Sequence, residues 1–177
     1  MQFDLDDEAN ARIERHKAHL PEGKDLTLLV LKGHLLVEEG LEELISVSCP
    51  EPEHILKSTA GFAMKARIAQ SLTGHLIYSG LWPMIEALNT LRNDLAHKLD
   101  SPKLNERILK FMDERRTHMR VLSDPLSVPK DQEVDVGQLR TDISILIGQL
   151  TANALIIRAL VKKLAPWKAM VEEVNRK

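Results

Sequence analysis

Arg92, Asn93 and His97 are the residues of this chain whose types and spacing best suit a reaction. They lie within the run Arg92-Asn93-Asp94-Leu95-Ala96-His97. An imidazole titrates near pH 6.5 and exchanges a proton at neutral pH, whereas a guanidinium stays charged and offers several donors in one plane. Cleaving a phosphodiester without a metal needs those two functions: a base for the attacking hydroxyl and a cation for the charge that builds on phosphorus. On RNA the attacking group is the neighbouring 2′-OH, and the product is a 2′,3′-cyclic phosphate.

The element that must position these residues is a helix over Leu81–Leu99, with Pro83 tolerated in its first turn. Successive residues turn by about 100°. Leu81, Ile85, Leu88, Ala96 and Leu99 therefore fall on the Arg92 side, and Arg92 is expected to project from the apolar stripe into the bundle. A guanidinium there needs a partner. Glu38, on the stripe of a helix over 26–47 between Leu31, Leu35 and Ile45, is expected to supply it. Asn93 and His97 are four apart and share another face. Aiming Arg92 and His97 at one point then takes a long Arg reach, a loosened helix end or a second subunit. The alternative is structural: Arg92 locks two helices through Glu38, while Asn93 and His97 satisfy helix ends.

The Arg-x4-His spacing, late in a bundle helix, resembles the motif of the HEPN superfamily of helical bundles. Many of its members are metal-independent ribonucleases of toxin–antitoxin and antiphage systems. The resemblance implies Arg92 and His97 as a catalytic pair with Asn93 as polar companion, usually in a cleft between two protomers. It implies an RNA substrate, a homodimer and a cognate antitoxin or regulatory protein as partner. The segments Leu31-Lys32-Gly33-His34-Leu35-Leu36-Val37-Glu38-Glu39 and Phe62-Ala63-Met64-Lys65-Ala66-Arg67-Ile68-Ala69 also resemble the mannitol operon repressor family. That likeness implies a non-catalytic helical transcriptional regulator or protein-interaction module. Together the resemblances span about residues 26–100.

The rest of the chain frames the motif. At 177 residues it suits one domain, expected over 1–177. Aromatics are 3%, so the core must come from aliphatic side chains, which favours helix packing over a sheet. Besides the two helices above, the patterning predicts helices over 5–19, 60–73, Pro102 to Val121 with Ser101 as cap, and Glu133 to Ala165, stopped by Pro166. The expected architecture is all-α, a single bundle of five to six helices with a long C-terminal helix and a loop over 122–132. The last helix carries a four-three apolar seam from Leu139 to Leu164 in which Asn153 takes one place, expected to bond a neighbouring backbone group. Gly33 and Gly40 are expected to allow close packing.

Charge is uneven. Residues 1–53 carry 13 acids and 5 bases, net −8, whereas residues 54–120 carry 11 bases and 6 acids, net +5. A basic middle permits nucleic-acid contact. Its densest run holds Arg115, Arg116 and Arg120, which are expected either to contact RNA phosphates or to complement a helix C-terminus. One cysteine, Cys49, excludes an intrachain disulfide and fits a reducing cytoplasm. His16 and His19 lack a third ligand, and no Gly-rich phosphate loop occurs, so neither metal nor cofactor is expected. The apolar run Ile143–Ile157 reads as too short and too polar to span a bilayer, so no membrane association is expected.

Overall fold

Leucine, isoleucine and valine recurring every three or four positions can be buried together only by packing helix against helix. The computed structural model describes residues 6–74, 76–97, 102–119 and 134–175. Among them are seven helices and no strand: α1 Asp6–His19, α2 Leu26–Ser48, α3 Glu53–Leu56, α4 Phe62–Thr73, α5 Leu81–His97, α6 Leu104–His118 and α7 Val136–Asn175. The element beyond the expected six is α3, a single turn that starts directly after Pro52.

The ends follow local chemistry. Asp25 caps α2, its carboxylate accepting from the Leu28 amide at 2.9 Å. The cap position of α6 is Lys103, with no side-chain bond to the helix; the expected cap Ser101 and the expected end Val121 lie outside the described residues. The loop over 122–132 and the expected start Glu133 also lie outside them.

Pro166 does not stop the last helix, which continues to Asn175. An internal proline removes one backbone hydrogen bond, normally a substantial loss. Here the freed carbonyl belongs to Lys162, which is exposed, so water can satisfy it.

Helices α2 and α7 form the centre and run parallel. A Cβ added to Gly33 would lie 2.7 Å from Ile143 Cγ2, and one added to Gly40 would lie 3.1 Å from Leu150 Cβ. Both pairs step by seven residues, so the bare backbone of α2 receives two teeth of the α7 seam. This close approach is the role expected of the two glycines. Helix α1 runs antiparallel to α2, tied by Arg15–Glu39 at 2.9 Å and by Arg12–Glu43. Helices α5 and α6 pair as an antiparallel hairpin, with Arg107 Nε 3.3 Å from Asp94 Oδ2.

By length and composition Val136–Ala165 could cross a membrane, contrary to the expectation. In this fold Leu139, Ile143, Leu146, Leu150, Ala154 and Ile157 of that stretch are buried in the bundle. Asn153 stays on the rim, its Nδ2 donating to the Gln149 carbonyl of its own helix at 2.8 Å. Beyond Ile157 the seam leaves the bundle, and Leu160 and Leu164 are exposed, as are Ile156 and Val161 beside them.

Candidate functional site

The buried arc of α5 is broad, comprising Leu81, Met84, Ile85, Leu88 and Leu91, with Leu95 half-buried. On the helical wheel Arg92 lies within that arc, about 20° from both Leu81 and Ile85, but it stands in the last two turns of α5, beyond the fully buried Leu91. Arg92 is half-buried, and its Nη1 donates to Asn93 Oδ1 at 3.1 Å. Asp94 is drawn toward α6 by Arg107, and Ala96 is exposed. Position 97 is the last residue of α5, one turn beyond Asn93 on the same face; its side chain lies outside what the structure describes.

Glu38 does not pair with Arg92. Its Oε1 accepts from Lys65 Nζ at 2.7 Å, and the same ammonium donates to Glu42 Oε1 at 2.6 Å. Helix α4 crosses α2 and brings a flexible lysine directly over two carboxylates one turn apart, which meets their charge better than an arginine near the end of α5. The two hydrogen bonds raise the Lys65 pKa above its ordinary 10.5.

Among the described residues the fully buried guanidinium is that of Arg115, not Arg92. It was a candidate RNA contact, but its side chain has no exposure. Arg115 Nε lies 2.8 Å from Asp142 Oδ1, and Asp142 is equally buried. The reason lies in register: Ile108, Phe111, Met112 and Arg115 are the buried face of α6, and Asp142 stands between Leu139 and Ile143 on α7. Arg115 Nη1 also donates to the Met119 carbonyl at 3.3 Å, and Gln138 Nε2 donates to Asp142 Oδ1 at 2.9 Å. Burial pushes the Asp142 carboxyl above its ordinary 3.8, opposed by the Gln138 bond and by the charges of Arg115 and Arg116. Arg116 is half-buried, and Arg120 lies outside the described residues.

Two polar residues that the sequence reading passed over lie beside the motif. His34, on the buried face of α2, stacks on Phe62 with ring centroids 4.0 Å apart, and its Nε2 donates to Asn89 Oδ1 at 3.2 Å. Burial holds the imidazole below its ordinary 6.5; the Asn89 bond and Glu38 oppose this, and the charge of Arg92 adds to it. The readable signal was a histidine in the register of Val30, Val37 and Leu41. Asn89 stands one turn before Asn93 on α5.

Asn89 also lines a groove of about 450 Å³ between α4 and α5, with Phe62, Trp82, Arg67, Gln70 and Glu86 around it. The structure therefore brings Arg92 to Asn93, and Asn89 to His34, along one side of α5. It brings Glu38 near His34 but does not pair it with Arg92, and it does not bring Arg115 to them. Among the described residues no group of three or more His, Cys, Asp or Glu is placed to hold a metal ion. Compared with known proteins, the chain matches no family model, no curated protein and no solved structure.

Proposed function

We propose that this protein is a HEPN-like, metal-independent endoribonuclease or RNA-binding protein of the toxin–antitoxin or defence kind, with Arg92 and His97 as its reacting residues. The observation that supports this reading is the Arg92–Asn93 contact near the end of α5. It holds a permanent cation half-exposed beside the face that carries position 97, instead of sealing it into the core. In the proposed reaction His97 accepts the 2′-OH proton, the 2′ oxygen attacks phosphorus, and Arg92 stabilises the negative charge of the pentacoordinate intermediate. The P–O5′ bond then breaks, leaving a 2′,3′-cyclic phosphate and a 5′-OH that takes up a proton. Two protomers would bring two such sites into one cleft.

The test is incubation of purified protein with single-stranded RNA in EDTA. Wild type is expected to leave 2′,3′-cyclic phosphate ends. His97→Ala and Arg92→Ala are expected to abolish cleavage. Cleavage that survives in both variants, or none by wild type on several RNAs, would overturn the nuclease reading.

A second reading is a non-catalytic regulator resembling the mannitol operon repressor family, working through protein contacts. The exposed Ile156, Leu160, Val161 and Leu164 on α7 favour it, since a contiguous apolar patch suits a partner protein. Retention of partner binding with no RNA cleavage would select it.

A further inference from the structure

The α4–α5 groove has the size and lining of a small-ligand site. Its volume of about 450 Å³ is enough for a nucleotide. Phe62 and Trp82, each more than nine-tenths buried, make an apolar floor. Asn89 is pinned: its Oδ1 receives the His34 N–H, which fixes the amide and leaves its own N–H donors for the groove. The Thr90 hydroxyl donates to the Glu86 carbonyl at 2.9 Å, so it presents acceptor lone pairs instead. Arg67 and Gln70 stand exposed at the α4 rim.

The opposite flank of α5 adds a second feature. Glu86 and Thr90 also line a smaller hollow of about 110 Å³, closed from α6 by Arg107, the exposed Lys110 and Glu114. The outer face of α5 is thus bordered by cations on both sides, Arg67 on one and Lys110 on the other. All these residues belong to the segment 54–120 that carries the net +5. An apolar slot with fixed polar edges between two cations suits a base flanked by two phosphates. An unpaired strand can turn a base into such a slot without the cost of breaking a base pair.

We propose that the α4–α5 groove is a base-binding subsite for single-stranded RNA, with Asn89 reading the base edge and Arg67 and Lys110 holding the neighbouring phosphates. This rests on the RNA-directed reading of Arg92 and His97, which the register of α5 places further along the helix that forms one wall. The Glu86 carboxylate and Thr90 hydroxyl favour a base with an exocyclic amine over uracil.

The probe is a 5′-fluorescein decamer of 2′-O-methyl adenosine, which lacks the 2′-OH nucleophile, titrated into the full chain and followed by anisotropy. Arg67→Glu and Lys110→Glu are each expected to weaken binding at least tenfold, with unchanged melting temperatures because both side chains are exposed. Ala63→Trp, an exposed position on the groove wall, is expected to weaken it similarly by filling the slot. The 2′-O-methyl uridine decamer and a duplex of the adenosine strand are expected to bind at least tenfold more weakly. Equal binding of either comparator, or variants that bind like wild type, would overturn the proposal. Groove-dependent binding without cleavage of ordinary RNA would remove the nuclease reading and keep the subsite. Cleavage accompanied by groove-independent binding would do the reverse.

Discussion

Arg115 and Asp142 form a buried ion pair, with Nε 2.8 Å from Oδ1 and neither side chain exposed, that joins α6 to α7. The Oδ2 atom of Asp142 is enclosed and has no hydrogen-bond partner among the described residues. Removing one charge of such a pair strands the other in a medium that solvates it poorly. Arg115→Met and Asp142→Leu are each expected to destabilise by about 3–5 kcal/mol. The double variant, which leaves neither charge behind, should recover most of that loss. Urea unfolding checks this, and a double variant as unstable as the sum of the singles would show that the pair is not the unit.

The packing of α2 on α7 predicts an ordering of glycine substitutions. Alanine in a helix interior gains about 0.5–1 kcal/mol over glycine when space allows. At Gly148 nothing lies within 4 Å of an added Cβ, so Gly148→Ala should stabilise by about that amount. At Gly33 the added atom would meet Ile143 Cγ2 at 2.7 Å, and a β-branched side chain has little freedom to move away. Gly33→Ala should therefore destabilise, by about 1–3 kcal/mol. Gly40→Ala, at 3.1 Å from Leu150 Cβ, should fall between them. Thermal melts of the three variants would refute this packing if Gly33→Ala proved the most stable.

Acid sensitivity should come in part from His34 and His16. Burial holds both below the ordinary 6.5. The unfolded chain therefore takes up protons near pH 6.5 that the native state refuses until lower pH, so their contribution is fully present above that value and is lost as pH falls. The urea midpoint should drop between pH 7 and pH 5, with a shallower drop in His34→Gln. An identical slope in that variant would assign the effect elsewhere.

The exposed end of the α7 seam predicts assembly. Leu160 and Leu164 lie beyond the part of α7 that the bundle buries. Light scattering at micromolar concentration should give twice the 20.0 kDa chain mass, and Leu164→Glu should give the single mass. A monomeric wild type would remove the composite two-protomer site from the proposal.

Much of the fold is legible in the residues alone. The Asp25 cap, the four-three seam from Leu139 to Ile157 and the glycines facing it are consequences of helical period and backbone sterics, which act within a few residues. The same periodicity places Asn89, Asn93 and position 97 on one face of α5. What it cannot supply is which arc of each helix turns inward, because that depends on how many neighbours surround it. Helix α5 is packed by α2, α4 and α6 at once, so its buried arc is broad, yet Arg92, which shares the azimuth of the buried Ile85, is only half-buried near the helix end.

Charge pairing is also decided at long range. Glu38 meets Lys65 because α4 crosses α2 there, and Arg115 meets Asp142 because α6 docks on α7. Pro166 lies inside a continuing helix, where the residue whose carbonyl it frees, Lys162, is exposed. The sequence by itself determined the helices and their faces, since those follow from local geometry. The tertiary structure alone decided which charges were sealed inside and which stayed at the surface, since desolvation depends on every element packed around a group.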